Sequence, residues 1–312
     1  MGYWGLADPD AWEVIFASQA ESTRDQYRSN FLKFLAFILP LGVTVETATL
    51  QHVFGFLKPY IQEKYAASTL RSYVAALKFY LLLFKRNDLV DSKLFSFFAA
   101  GAQRKAPLPK RRTCIWNAAI PLQMIRDRAP PASFLVAARE ALFLLLMATG
   151  LRIDDIFKMG DDFLFECEDF VIPFVEKRKC KIKGSWSLIQ KLTPYNGNAR
   201  LCPVNALLLY STFSVTVRKP GEKALFVSST GERASKATLS RWVKELLIDA
   251  NIDASGGSCR SAATSAAYLR SLPIDVILNS AGWSSKVTFF RYYQREVKEN
   301  VHERATNLLP KL

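Results

Sequence analysis

The run GAQRKAPLPKRRT, residues 101–113, holds two prolines, five basic side chains and no acid. A segment of that composition cannot bury a core, so it reads as a linker between two separately folded parts. The 312 residues are enough for two such domains, placed at 1–100 and 114–312. The linker's charge also suits a strap along a polyanion, with Lys110, Arg111 and Arg112 as contacts, and KAPLPKRR resembles a weak nuclear localisation signal.

Ahead of the linker the apolar periodicity is helical throughout. Residues 1–20 hold a short amphipathic stretch around Trp12, Ile15 and Phe16. Ser22-Thr23-Arg24-Asp25 reads as a capping box opening a helix with Tyr27, Phe31, Phe34, Leu35 and Ile38 on one face, ended by Pro40. A second helix is predicted over 48–64. The third is capped by Ser68 and places Leu70, Tyr73, Val74, Leu77, Tyr80, Leu81 and Phe84 on its apolar face. Arg71, Lys78 and Lys85 lie seven apart and are expected to form one basic stripe beside that face. A short helix over 92–100 closes the block.

Beyond the linker, residues 132–149 form a strongly apolar helix that ends at Thr149-Gly150-Leu151-Arg152. Strands are predicted over 170–176, 186–189 and 225–227, the first two separated by a lysine-rich turn. Helices are predicted over 201–212, begun by Pro203, and over 236–250. The fold class is therefore mainly α with a small antiparallel β-sheet. Forty-two basic against twenty-eight acidic residues give a net charge of +14, which attracts polyanions, nucleic acid first among them. No uncharged apolar run reaches membrane-spanning length; the longest, FLKFLAFILPLGV, is broken by Lys33 and Pro40. MGYWGLADPD lacks the features of a secretion signal, so a secreted protein is not expected. Five scattered cysteines and two histidines, His52 and His302, offer no zinc spacing and no histidine-based centre.

Residues 256–294, GGSCRSAATSAAYLRSLPIDVILNSAGWSSKVTFFRYYQ, carry the chemistry. Gly256-Gly257-Ser258 is a flexible lead-in with Ser258 as a plausible N-cap, which puts Arg260 in a first helical turn where free N–H groups favour an anion. Pro273 suits the next helix start and Gly282 its end. Trp283 follows, then a helix over 288–295 with adjacent phenols at Tyr292 and Tyr293. An arginine, an indole donor and a phenol can together hold a phosphate.

This same stretch resembles the C-terminal active-site region of tyrosine recombinases, nearest to those of DIRS-like and Crypton-like eukaryotic mobile elements. The resemblance extends to ATGLRIDDI around Arg152 and to STRDQYRSNFLKFLAF and STLRSYVAALKFY of a helical core-binding domain. It implies a two-domain, C-shaped clamp on double-stranded DNA that cleaves and rejoins strands through a 3′-phosphotyrosine, without metal or nucleotide cofactor. Arg152 and Arg260 would bind the phosphate, Asp155 would brace Arg152, and Trp283 would add an indole donor. Lys179 would protonate the leaving 5′ oxygen from a hairpin in EKRKCKIKG, where Lys177 and Lys181 share its face. The nucleophile is Tyr293 by the mobile-element spacing and Tyr292 by the bacterial spacing. The family's histidine three residues before Arg260 is here Gly257, so Ser258 or a water is the available substitute. Three readings follow: an active recombinase, a DNA-binding relative without strand transfer, and type IB topoisomerase chemistry. The resemblance also implies a tetramer on DNA linked through the tail 296–312, with nuclear localisation in a eukaryote and cytoplasmic otherwise.

Overall fold

The computed structural model describes residues 9–107, 114–166, 168–175, 189–283, 285–293 and 296–297. The chain divides into two compact units, residues 1–111 and 112–312.

The first unit is helical: α1 Pro9–Ala17, α2 Glu21–Ile38, α3 Leu50–Gln62, α4 Ala67–Leu83, α5 Asn87–Val90 and α6 Lys93–Lys105. Its core is built where the periodicity put it, from Phe31, Phe34 and Ile38 of α2, Val53, Phe56 and Leu57 of α3, and Tyr73, Leu77 and Leu81 of α4. Arg86 clips the unit together by donating to the carbonyls of Val45, Glu46 and Ala48 at 2.6–2.8 Å. His52 Nδ1 accepts the Thr49 N–H at 3.0 Å and so helps cap α3.

Four expectations for this unit change. α2 starts at Glu21 after Ala20, so Ser22–Asp25 lie inside the helix and do not cap it. α4 starts at Ala67 after Ala66, one residue ahead of Ser68. α6 continues to Lys105, five residues into the stretch read as linker, because Ala102 is buried and keeps the helix docked. It stops where Ala106, extended at ψ 145°, precedes Pro107, since a proline disfavours helical backbone in the residue before it. Lys85 lies past the end of α4 in left-handed backbone (φ 56°), so the seven-residue spacing does not keep it on the stripe. Arg71 is exposed, and Lys78 sits 5.4 Å from the centre of the Phe95 ring.

The second unit comprises β1 Cys114–Ile115, α7 Ala119–Asp127, α8 Phe134–Thr149, α9 Ile153–Phe157, β2 Leu164–Glu166, β3 Asp169–Pro173, β4 Ile189–Leu192, α10 Pro203–Ser214, α11 Lys236–Asp249, α12 Cys259–Leu269, α13 Ile274–Ala281, α14 Lys286–Tyr292 and β5 Glu296–Val297. Strands β2, β3 and β4 form an antiparallel sheet in that order. β1 pairs in parallel with β5, Cys114 opposite Glu296. Residues 225–227, expected as a strand, make only an isolated bridge from Val227 to Arg233. α8 is the axis of the unit and is buried almost all round, as its continuous apolar run requires. Its one buried acid, Glu140, accepts from Arg200 at 2.9 Å and lies 3.7 Å from Arg128. Tyr210 of α10 is also buried, which pushes its phenol up to about 12, and its hydroxyl accepts the Val227 N–H.

Candidate active site

Three glycines shape the site. At Gly256 a side chain would put its first carbon 2.6 Å from the Ser240 carbonyl oxygen of α11, so only glycine allows the turn to lie so close. Gly150 and Gly282 adopt left-handed backbone (φ 63° and 66°) and end α8 and α13. The carbonyl ends of those two helices converge on one cation. Arg260, in the first turn of α12 and only 4% exposed, donates from Nη1 to Gly150 O at 2.8 Å and from Nη2 to Ala281 O at 2.7 Å. A guanidinium is well placed there, because helix C-termini carry partial negative charge.

The same guanidinium lies 4.2 Å from the centre of the Trp283 ring and 5.3 Å from that of Tyr293. The two rings are 4.4 Å apart, tilted by 45°. Trp283 is buried and its Nε1–H has no hydrogen-bond partner among the described residues. Tyr293 sits at the C-cap of α14, so the helix stops short of the expected residue 295. Its N–H bonds to Phe289 O at 2.8 Å, and its carbonyl accepts the Ser265 hydroxyl at 2.9 Å.

Arg152 follows Gly150 by two residues and is the N-cap residue of α9. Asp155 is buried and accepts the Arg152 main-chain N–H at 3.2 Å, which fixes the backbone that carries the arginine. Next to it Asp154 pairs with Lys158 at 3.2 Å and with Lys236. Burial works against the Asp154 carboxylate, but the two ammonium groups outweigh it and hold its pKa below the usual range. Arg233 and Lys236 both lie 5.0 Å from the centre of the Phe157 ring. Lys158, Arg233 and Lys236 escaped the sequence reading. The Asp154–Lys158 spacing of four was the available signal for one of them, while the other two approach α9 only through the fold.

Ser258 changes role. It has helical backbone and makes no side-chain cap. Its hydroxyl donates to Ser255 O at 2.6 Å and accepts the indole N–H of Trp116 at 2.8 Å. A serine has one proton to donate, so Ser258 cannot stand in for the missing histidine while these bonds hold. Gly257 is exposed, and a Cβ there would meet no described atom within 4 Å.

The structure thus gathers Arg260, Trp283 and Tyr293 into one cluster and ties it to the Gly150–Arg152 turn. Lys177, Lys179, Lys181, Lys110, Arg111 and Arg112 lie outside the described residues, as does the side chain of Tyr292. Among the described residues no group of three or more His, Cys, Asp or Glu could hold a metal ion. No described helix is long and apolar enough to cross a membrane.

Two family models match. That of the phage integrase family covers residues 129–299, and that of the phage integrase N-terminal SAM-like domain covers residues 13–87. No curated protein matches the sequence. Among solved structures the chain is similar to the XerH site-specific recombinase bound to difH substrate in a pre-cleavage complex, with TM-score 0.59, 16% identity, and 90% of this chain and 78% of that one covered. It is also similar to a lambda integrase tetramer bound to a Holliday junction, with TM-score 0.57, 17% identity and coverage of 93% and 78%. A third is the Tn1549 transposon integrase in complex with transposon right end DNA, with TM-score 0.56, 13% identity and coverage of 96% and 97%. At such identities the likeness speaks for the fold.

Proposed function

This chain belongs to the phage integrase family, that of the tyrosine recombinases, and from that premise we propose that it is a site-specific recombinase that cuts and rejoins duplex DNA through a phosphotyrosine. The observation that carries the proposal is the cluster of buried Arg260 and Trp283 with half-buried Tyr293, joined through Gly150 O to the turn bearing Arg152.

The Tyr293 phenol gives up its proton to a water molecule, and its oxygen attacks the scissile phosphorus. The bond to the 5′ oxygen breaks, the 3′ phosphate stays on the tyrosine, and Lys179 supplies the proton that completes the 5′ hydroxyl. A second strand's 5′ hydroxyl then attacks the phosphotyrosine; the bond from phosphorus to Tyr293 breaks, the hydroxyl's proton returns to the phenol, and a phosphodiester is restored, so bond energy is conserved throughout. A free tyrosine titrates near pH 10 and is a poor nucleophile at neutral pH. Guanidinium groups neutralise charge developing on the non-bridging oxygens of the scissile phosphate. The Trp283 indole N–H is a further donor for one of those oxygens.

The run Trp283-Ser284-Ser285 with Thr288-Phe289 favours a mobile-element enzyme of the DIRS-like or Crypton-like kind and Tyr293 over Tyr292. The partner is double-stranded DNA, and the working assembly is a tetramer joined through the C-terminal tail. Gly257, with Ser258 already committed to Trp116 and Ser255, supports a second reading: a relative that binds DNA but cleaves it slowly or not at all.

A suicide duplex, nicked so that the cleaved end diffuses away, separates the two. The first reading expects a covalent protein–DNA adduct that Tyr293→Phe abolishes and Tyr292→Phe leaves. Adducts formed equally by both variants would overturn the assignment of the nucleophile. Specific binding with no adduct in the intact chain would favour the second reading.

A further inference from the structure

The reaction needs its phenol held in place, and the residue that carries it is the C-cap of α14. The last carbonyls of a helix have no intrahelical partner, so an unsupported helix end frays. Tyr293 escapes this, because both its main-chain polar groups are taken: the N–H by Phe289 O, and the carbonyl by the hydroxyl of Ser265. Ser265 is 1% exposed and lies on α12, the helix that also presents Arg260. One helix therefore fixes the guanidinium through its first turn and the tyrosine's backbone from five residues further on.

We infer that Ser265 is a positioning residue for strand cleavage, setting where the Tyr293 phenol stands relative to Arg260. The inference rests on the proposed function and deepens it. Ser265 acts through the Tyr293 carbonyl. Without the hydroxyl, that carbonyl loses its anchor, the C-cap turns more freely, and the phenol spends less time in line with the phosphorus. Small misplacements of a reacting group are costly, with a shift of 1 Å worth on the order of 100-fold.

The test is single-turnover cleavage of the nicked duplex at saturating DNA, with the adduct mapped by peptide mass. Ser265→Ala should form the Tyr293 adduct about tenfold more slowly, with final amplitude and DNA affinity within about twofold of the parent. Ser265→Cys, close in size and a weak donor, should fall between the two. A slowly exchanging unfolded fraction would lower the amplitude and leave the rate constant alone, and a rapidly exchanging one would show as a lost folded signal in circular dichroism at the assay temperature, so rate, amplitude and folded signal together separate positioning from mere stability. A Ser265→Ala chain that reacts at the parent rate, or loses amplitude only, overturns this inference and leaves the proposed function standing. An adduct on Tyr292 in the parent, or none at all, overturns the assignment of Tyr293 and takes the inference with it.

Discussion

A Cβ at position 257 would meet no described atom within 4 Å, whereas one at 256 would strike the Ser240 carbonyl at 2.6 Å. The two neighbouring glycines thus have opposite meanings. Gly256→Ala should destabilise the protein by about 1–3 kcal/mol through overpacking, read as a lower urea midpoint. Gly257→His should fold normally and restore the family's proton-transfer group. General acid–base help is worth about 10²–10⁴-fold, so adduct formation should speed up at least about tenfold, with a new inflection near about pH 6.5. An unchanged rate and pH profile would show that the chain manages its proton another way. Burial pushes the Cys259 thiol far up, so it should resist alkylation until the protein unfolds. At Asp154 the pKa in the folded protein lies below the ordinary carboxylate value. The resulting stability is present above an unfolded value of about 3.9 and is lost as pH falls through the lower folded value. Asp154→Asn should therefore flatten the acid limb of the unfolding profile.

At the scale of helices, α8 shows what a buried charge does. Glu140→Gln would leave Arg128 and Arg200 without their carboxylate and should cost about 2–3 kcal/mol, measured by urea unfolding of the full chain. Periodicity made the long helices legible: Leu70, Tyr73, Leu77 and Leu81 of α4 are buried where the spacing put them. It failed where local and tertiary forces compete. Lys85 left its stripe because the chain turns left-handed there, and α6 outran its expected end because Ala102 found a packing partner. β2 was missed because Leu164, Phe165 and Glu166 are all exposed and show no alternation. In the site, Arg260, Trp283 and Tyr293 were legible from a short stretch with recognisable spacing. The Gly150 and Ala281 carbonyls, the Ser265 hydroxyl and the Trp116–Ser258 bond were not. They are long-range pairings between groups that every chain carries in abundance, and no local pattern announces them.

For the molecule as a whole, a net charge of +14 makes DNA affinity a function of salt. Each phosphate neutralised contributes about 0.9 to the slope of log K against log salt. Replacing Lys110, Arg111 and Arg112 together by glutamine should lower that slope by about 2–3 if the linker tracks the backbone, and an unchanged slope would show that it does not. Arg260 is unlike those surface cations, since it is sealed in and grips the ends of two helices brought together from residues 150 and 281. Its place therefore serves the architecture as well as the proposed phosphate contact. A descendant that had ceased to cut DNA would still need that guanidinium to keep its shape, whereas at 257 selection could come and go with the reaction alone.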